Sequence, residues 1–474
     1  MKFIIFLKGG IEKPCITNEK GSVFRLSCGL SLKIPITCVS EELFMRKTIF
    51  LTSDLHRRDT NAMIFFKEWI MAEYPEVNVY VPSRINVRIL SRFFFKAVWI
   101  FSPHQFLALK KKHIKKLSKG TICIIETEGF VDAPATLPLF DNKDYYEYVD
   151  LIFVWGQRSK DLVTKEIGIP EQKVKIVGSP RLPLLLPATE PNPKNIGVIG
   201  KHEMISSFNK RSHIKIIYNS VVNDEVKLAM TNRLEGDIGS LIYIFERIPI
   251  LAKNGYEISI RPHPNEYFKD YSFFKRIDNI RVSDQNEDYC NWLKKQRFVF
   301  SPISTTCIDL YLLQIPSFEI KVNDEFENKE DCSFKYFKVY SKKIYGIQEI
   351  EDFIKNHRID KFVENEDMND VLKLHFNNGI TNYRLIIESI LSIDKGLYIP
   401  TILIKLVDFL YFFRRFRFGF KKHAAFNYSY ISFVHKDIKA DRELLKLVRE
   451  HNGTVDVFNI LKSHFNKKRK QNNA

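Results

Sequence analysis

Two short segments combine residue types that can bind a phosphate group. RPHP at 261–264 follows an apolar run that begins at Glu257, and SPISTT at 301–306 follows the apolar run FVF. The prolines stiffen the first loop and bias Arg261 and His263 toward extended geometry. Arginine can bind phosphate oxygens with two N–H groups, and a fixed histidine can donate to the same group or protonate a leaving group.

The second segment leads directly into a helical pattern at 307–314, so its polar groups are expected at a helix start. Such a start offers backbone N–H groups and hydroxyls to an anion. The candidate phosphate ligands here are Ser301, Ser304, Thr305 and Thr306. A structural interpretation stays open for both segments, in which HP is a turn and SPISTT is an ordinary helix cap.

A third segment, ETEG at 126–129, places two carboxylates one residue apart, followed by a glycine. A carboxylate in a dry crevice can have its pKa raised toward neutrality and can then accept a proton from an attacking hydroxyl. Either Glu126 or Glu128 could be this general base. The alternative is a solvated turn.

Further polar residues follow other predicted strands. Arg57, Arg58 and Asp59 come after the strand TIFLTSD, and Arg181 ends the segment GSPR after the strand VKIV. These residues suit contacts with an acceptor or with a sugar carboxylate, although paired loop arginines are more often surface charge.

The elements that must position these residues alternate between apolar strands and helices. A first set contains TIFLTSD, VNVYVP, AVWIFSP, TICIIE, LIFVW and VKIV, with helices expected at 60–74, 87–96 and 105–118. A second set begins with NIGVIG and continues through VKLAMT, EISI, NIRV, RFVF and SFEIK. This alternation predicts an α/β protein with two Rossmann-like, doubly wound parallel sheets facing a cleft, and ligands are expected beyond the carboxyl ends of the strands.

The proline-rich run LPLLLPATEPNP separates the two sets and predicts an inter-domain linker. We therefore divide the chain into an acceptor domain at 45–185, a linker at 186–194 and a donor domain at 195–345. A helical segment at 346–400 and a basic, aromatic tail at 401–474 are expected after them. Residues 1–44 lack periodicity and are expected to be a poorly ordered or non-native extension, with Met45 as an alternative start.

The positive charge is concentrated near the C-terminus. The formal net charge of the 474 residues is +17, and residues 401–474 contain 16 basic and 6 acidic residues. The aromatic, basic segment 401–423 can lie on an anionic membrane surface. A core helix is the alternative, and no nucleic-acid role is expected for the tail.

Several classes of protein are disfavoured by the sequence. Seven cysteines without a CxxC pair fit a reduced, cytoplasmic chain. The first apolar run is too short for a signal peptide, and no window is apolar enough to span a bilayer. The chain has no P-loop motif, no GxGxxG after a strand and no metal-ligand cluster, so we expect neither a metal nor a bound cofactor.

The order of the motifs SDLHRRD, ETEG, VKIVGSPR, RPHPNE and SPISTTCIDLYLLQIPSFEI resembles bacterial surface carbohydrate biosynthesis proteins, which have the GT-B glycosyltransferase fold. It is also similar to GT-B enzymes that use CMP-activated acidic sugars, such as sialyl-, polysialyl- and Kdo transferases. The resemblance covers about Met45 to Lys321. In those families an acidic motif supplies the base, an HP histidine contacts the donor phosphate and a Ser/Thr motif completes the nucleotide site.

The resemblance implies a peripheral cytoplasmic glycosyltransferase that transfers a CMP-linked ulosonic acid from a nucleotide donor to a glycan or lipid-linked acceptor. Glu128 or Glu126 would be the base, His263 the phosphate contact, and 304–306 the phosphate cradle. Thr127 stands where an adjacent acidic residue is expected, so the choice of base stays open. A nucleotide-sugar 2-epimerase of the same fold, or a non-catalytic glycan-assembly protein, is the alternative.

Overall fold

The computed structural model describes most, but not all, of the chain. The described residues are 6–7, 22–25, 30–34, 46–53, 59–82, 84–127, 140–186, 191–200, 239, 242, 244–262, 266, 268–283, 287–301, 306–319, 341–343, 347–356, 362–393, 398–399 and 441–472. Six predicted site residues and the predicted membrane segment 401–423 lie outside them. Those six are Arg57, Arg58, Glu128, His263, Ser304 and Thr305.

The strands before residue 44 form a small sheet of their own. β1 (Phe6–Leu7), β2 (Ser22–Arg25) and β3 (Leu30–Ile34) pair antiparallel in the order β1-β3-β2.

The first large sheet contains all six strands predicted for the N-terminal half. These are β4 (Arg46–Leu51), β5 (Val77–Tyr80), β6 (Val98–Phe101), β7 (Thr121–Ile125), β8 (Leu151–Val154) and β9 (Val174–Ile176). They pair in parallel, with β5 and β6 both on β4 and with β7, β8 and β9 following β6. The strand order reverses between β4 and β6.

The second large sheet is entirely parallel among the described residues. Its strands are β10 (Asn195–Ile199), β11 (Glu257–Arg261), β12 (Ile280–Val282), β13 (Phe298–Phe300), β14 (Ser317–Glu319) and β15 (Ser341–Lys343). The order β12-β11-β10-β13-β14-β15 reverses between β10 and β13. Two doubly wound parallel sheets in one chain confirm the predicted GT-B-like α/β architecture.

The helices connect the strands and then continue beyond the second sheet. Those of the N-terminal half are α1 (Thr60–Glu73), α2 (Arg84–Phe93), α3 (Pro103–Leu107), α4 (Lys111–Leu117) and α5 (Gln157–Asp161). The C-terminal half contains α6 (244–253), α7 (Tyr289–Leu293) and α8 (Thr306–Leu312). The remaining helices are α9 (Ile347–Asn356), α10 (Glu366–His375), α11 (Tyr383–Leu391), α12 (Arg442–Glu450) and α13 (Val457–Asn472).

The helix predicted at 105–118 is two helices in the structure. α3 ends at Leu107, with Ala108 as its C-cap, and α4 begins after Lys110, whose backbone is extended (ψ 143°). The sequence prediction missed this break because the basic and apolar residues keep a helix-like spacing across it. The helix predicted at 87–96 ends at Phe93, three residues earlier than expected.

Three apolar clusters stabilise the molecule, and one of them spans both halves. The N-terminal sheet buries one face under α2 and α4, in a cluster formed, among the described residues, by residues 50–176. The C-terminal sheet has a separate cluster under α6. The largest cluster joins α1 and the second face of the N-terminal sheet to α8 and to the helices after residue 362. The two sheets therefore share one core.

The chain returns to its N-terminal half after the second sheet. β17 (Tyr398–Ile399) pairs antiparallel with β4, and Tyr383 stacks on Phe66 with ring centroids 4.9 Å apart. Lys47 donates to the carbonyl of Ile393 (3.3 Å), near the end of α11. β16 (Ile380–Asn382) pairs with β18 (Thr454–Asp456), which places α12 and α13 in the same core.

We expect Gly453→Ala to destabilise the fold. Gly453 has φ +75°, and a Cβ here would collide with the indole ring of Trp69 on α1. The left-handed backbone costs an L-residue about 1–2 kcal/mol, and overpacking adds about 1–3 kcal/mol. Chemical denaturation measures the loss.

Gly168→Ala is the matched control for that substitution. Gly168 has φ +87° but no neighbour within 4 Å of the added Cβ, so only the backbone term applies. Equal losses of unfolding free energy in Gly453→Ala and Gly168→Ala would contradict the packing of residue 453 against Trp69 of α1.

Stability should fall with acidification because of His375. This side chain is fully buried, and its pKa is lowered from 6.5 to about 4, first by burial and then by the charge of Arg158. Between these two pH values the unfolded state binds more protons than the folded state. The free energy of unfolding should therefore fall from pH 7 toward pH 4, by about 3 kcal/mol in total from this residue.

His375→Gln should remove this part of the pH dependence, whereas His104→Gln, at an exposed position, should leave it unchanged. Denaturation curves at several pH values measure it. The same slope in wild type and His375→Gln would show that His375 is not the responsible group.

Candidate functional site

Several described site candidates follow strands next to the places where the strand orders reverse. In open α/β sheets a crevice forms there, beyond the carboxyl ends of the strands. In the N-terminal sheet the segment 52–59 follows β4 and Ser102 follows β6. In the C-terminal sheet Gly200 follows β10 and Ser301 follows β13. The segments carrying Asp59 and SPISTT therefore begin at the two crevices.

Arg261 lies at the end of β11, next to the C-terminal reversal point. Its side chain is 7% exposed, and its Nη2 donates to the carbonyl of Glu287 (3.1 Å). The guanidinium lies over the rings of Tyr289 (5.5 Å) and Trp292 (5.7 Å). Burial lowers the pKa of Arg261, and the surrounding aromatic faces fix the direction of its fork.

Ser301 and Thr306 are the described members of the predicted phosphate cradle. Ser301 is buried and its N–H donates to Phe318 of the neighbouring strand (3.1 Å). Thr306 is the first residue of α8, and its side chain hydrogen-bonds the hydroxyl of Tyr289. Because α8 has only seven residues, any anion here would be held mainly by local N–H and hydroxyl groups rather than by a long helix dipole.

A buried ion pair joins the two halves beside this site. Arg181 Nη2 lies 3.2 Å from Asp309 Oδ2, with side chains 6% and 0% exposed. The hydroxyl of Tyr289 donates to the same Asp309 oxygen (3.0 Å). Burial and then the charge of Asp309 raise the pKa of Tyr289. Asp309 on α8 is thus bound by one residue from each half.

The loop that carries Arg181 is held by the returning chain. Gly178 has φ +76°, and a Cβ there would collide with the carbonyl of Ile380. The hydroxyl of Thr381 donates to the Ser179 carbonyl (2.7 Å), and that of Tyr383 donates to the Pro180 carbonyl (2.7 Å). The ion pair therefore depends on a segment about 200 residues downstream.

Glu126 lies immediately after β7 and is 5% exposed. Its N–H donates to Phe153 (2.9 Å), and its carbonyl accepts from the indole N–H of Trp155 (2.7 Å). The carboxylate is close enough to Tyr146 to raise the pKa of that phenol, after the larger effect of burial. The side chain of Glu126 thus lies near Tyr146 of the N-terminal cluster.

Trp155 connects this acidic segment to the inter-half pair. The guanidinium of Arg181 lies over the Trp155 ring at 5.7 Å and over Tyr289 at 5.9 Å. One chain of contacts consequently runs from the carboxyl end of β7 to the residue that touches Thr306. Its members, in order, are Glu126, Trp155, Arg181, Asp309 and Tyr289.

Sequence reasoning missed Asp309, Tyr289, Trp292 and Glu266. Glu266 is buried, accepts a hydrogen bond from Tyr271 (2.8 Å) and lies where a side chain on Gly200 would collide with it. Glu266 is the last residue of the segment RPHPNE, and this motif was the sequence signal that could have identified it. Asp309 and Tyr289 gave no signal because each reads as part of an ordinary helix.

Asp59 is buried directly before α1, and its carbonyl accepts the N–H of Met63 (3.1 Å). Arg181 lies in the ion pair described above, and its role as an acceptor contact stays a prediction. Within the described part of the chain, no three His, Cys, Asp or Glu residues are grouped as metal ligands. Within the same part, no helix is long and apolar enough to cross a membrane.

No protein-family model and no curated protein matches the chain. Solved structures similar to it include the UDP-GlcNAc 2-epimerase of Methanocaldococcus jannaschii in complex with UDP-GlcNAc and UDP. The two sequences are 13% identical, the match covers 69% of this chain and 99% of that chain, and the TM-score is 0.39. The UDP-GlcNAc 2-epimerase of Neisseria meningitidis bound to UDP-GlcNAc has 13% identity, coverages of 74% and 100%, and a TM-score of 0.42. The wall teichoic acid polymerase TagF has 14% identity, coverages of 74% and 91%, and a TM-score of 0.43. At these identities and TM-scores, the similarity assigns neither activity nor substrate to the chain.

Arg181→Met should destabilise the protein by about 3–5 kcal/mol, because it leaves Asp309 charged and buried without its cation. Arg181→Met combined with Asp309→Asn should recover most of this loss, since the amide keeps an oxygen that can accept from Tyr289. Denaturation of the two single variants and the double variant measures the coupling. Additive losses would show that the two side chains do not interact.

Proposed function

We propose that the chain is a nucleotide-sugar-dependent glycosyltransferase of surface polysaccharide biosynthesis. The observation that carries the proposal is the chain of contacts from Glu126 through Trp155, Arg181 and Asp309 to Tyr289. It connects Glu126, the first residue of the acidic segment, to Thr306, one of the phosphate-binding candidates, and this connection supports the proposal. Transfer to an acceptor needs such a pairing of a base with a site for the leaving phosphate.

The donor site in this proposal lies at the carboxyl ends of β11 and β13. Arg261 and His263 offset the charge of the donor phosphate, and Ser301, Ser304, Thr305 and Thr306 supply hydroxyl and N–H donors to it. The bond between the sugar and the phosphate oxygen breaks, and the nucleotide leaves with the negative charge that these groups stabilise. No metal is required for this step.

The acceptor site lies at the N-terminal crevice, in reach of the ETEG segment and of Arg57, Arg58 and Asp59. Glu128 accepts the proton of the acceptor hydroxyl while that oxygen forms the new bond to the sugar. Glu126 is the weaker candidate because its charge acts on Tyr146, its N–H donates to the Phe153 carbonyl of β8, and its carbonyl accepts from the Trp155 indole. Glu128 is two residues further along the chain.

The proposed donor is a CMP-linked ulosonic acid, since the resemblance of the motif trio is to enzymes that use CMP-activated acidic sugars. The basic groups Arg57 and Arg58 suit the carboxylate of such a sugar, whereas Arg181 is buried in its ion pair with Asp309. The proposed acceptor is a glycan or a lipid-linked glycan, which the segment 401–423 would approach from the cytoplasmic face of the membrane.

We expect Glu128→Gln to reduce turnover by roughly 10² to 10⁴ while leaving donor affinity nearly unchanged. The amide keeps the shape of the side chain but cannot accept the proton. Glu126→Gln is the matched control and should lose much less activity. Donor consumption with a lipid-linked acceptor fraction, together with nucleotide affinity, measures both effects. A collapse in Glu126→Gln alone would transfer the role to Glu126.

Thermal shifts with CMP, UDP, GDP and CDP identify the nucleotide in the same preparation. A nucleotide at about 100 times its dissociation constant should stabilise the protein by roughly 2.7 kcal/mol. Isomer formation from UDP-N-acetylhexosamine without acceptor would instead identify a 2-epimerase. Nucleotide binding without any turnover would favour a glycan-assembly protein that retains only the fold.

A further inference from the structure

A second basic region lies on the N-terminal half, far along the chain from the basic tail. Residues 84–120 contain ten lysines and arginines and no aspartate or glutamate. They include α2, β6, α3 and α4 and end directly before β7. A run of this length without an acidic residue is unusual in a chain that contains 56 acidic residues.

The fold places these basic residues on one surface, because α2 and α4 lie side by side. Arg88 Nη2 donates to the carbonyl of Ala108 (2.8 Å), and Lys116 Nζ donates to the carbonyl of Arg92 (3.4 Å). Ser91 and His113 are also in hydrogen-bond contact (3.2 Å). We define the basic surface by the exposed side chains of Arg88, Arg92, Lys112, Lys115, Lys116 and Lys119.

This surface faces away from the C-terminal half. α2 and α4 cover the face of the N-terminal sheet whose apolar cluster is formed, among the described residues, by residues 50–176, whereas the shared core lies on the opposite face. At the start of α4, Lys111 pairs with Asp144 (3.0 Å), and the charge of Glu147 also acts on Lys111. The described C-terminal elements therefore leave the basic surface open to a partner.

An exposed aromatic ring lies at the edge of the same surface. Phe93, the last residue of α2, is 63% exposed between Arg92 and Lys96. Phe95 follows, and the ammonium of Lys116 lies over its ring at 4.3 Å. An apolar ring surrounded by cations suits the boundary between lipid headgroups and acyl chains, where the ring leaves water and the cations meet anionic lipid.

We propose that this surface, formed by α2, α4 and Phe93, docks the protein on an anionic lipid membrane. The charge complementarity and the exposed ring together favour lipid over a polyanion such as RNA, which would neutralise the lysines but would not bury Phe93. The docking site is distinct from the segment 401–423. It does not require the proposed reaction, because it can be measured without nucleotide or acceptor.

The test uses the full chain in a variant from which five basic side chains of the tail are removed, so that the tail contributes little to membrane binding. Arg414, Arg415, Arg417, Lys421 and Lys422 are replaced by Gln, and the protein is sedimented with vesicles of phosphatidylglycerol and phosphatidylcholine. Each lysine near an anionic surface contributes about 1 kcal/mol, or roughly fivefold in partitioning. Replacing Lys112, Lys115 and Lys119 by Gln should therefore weaken binding by roughly 100-fold.

The matched control removes three exposed cations elsewhere, by Gln substitution of Lys253, Arg276 and Lys373. Its net charge equals that of the α4 triple variant, and its binding should fall far less. Phe93→Ser should weaken binding at unchanged charge and should keep the far-UV circular dichroism of the background chain. Vesicles of phosphatidylcholine alone should not bind.

Three outcomes would overturn the proposal. The first is a background chain that fails to sediment with anionic vesicles at low salt. The second is an equal loss in the α4 triple variant and in the control, which would indicate net charge rather than a surface. The third is unchanged vesicle binding by Phe93→Ser together with α4-dependent binding of an RNA oligonucleotide, which would identify a polyanion site.

Discussion

The buried pair of Arg181 and Asp309 is the interaction on which the arrangement of the two halves depends. Removing two charges from water costs several kcal/mol for each ion. The attraction between the two charges in the protein interior offsets this cost only when the geometry is good and further hydrogen bonds are made. Here Tyr289 supplies a further hydrogen bond to Asp309, and Trp155 and Tyr289 cover the guanidinium. Such a pair adds little net stability, but it strongly penalises any arrangement of the halves that separates it.

The segment that returns to the N-terminal half after the second sheet holds Arg181 in position for this ion pair. Residues 380–383 bind the carbonyls of the loop that presents Arg181, and Tyr383 also stacks on α1. The same segment pairs with β18, which brings α12 and α13 into the shared core. The last 32 described residues are therefore part of the fold. For this reason the basic tail has to be studied by substitution in the full chain, since removing 401–474 would also remove buried Leu444, Val448 and Leu461.

The sequence predicted the six parallel strands of the first large sheet and five of the six described strands of the second, but it missed β15 and could not predict the contacts between elements. Each predicted strand in the described part of the two large sheets is a short run of β-branched or aromatic residues, and burial on both faces explains why such runs are continuous. Arg181 and Asp309 are 128 positions apart, and no local pattern links them. The same limit applies to the basic surface, because the absence of acidic residues in 84–120 is visible in the sequence, but the adjacency of α2 and α4 is not. The positions of residues 126 and 261 at strand ends were predictable because strand ends are recognisable, whereas Tyr289 and Asp309 lie inside helical patterns.

The position of Glu126 bears on which acidic residue can meet an acceptor. A carboxylate that follows the last paired residue of β7, with both backbone groups bonded to β8 and Trp155, is held inside the edge of the sheet. Its charge acts on Tyr146, a member of the N-terminal cluster, which lies on the face of the sheet away from the C-terminal half. We therefore retain Glu128 as the proposed base and Glu126, whose charge acts on Tyr146 and whose backbone is bonded at the strand end, as the weaker candidate.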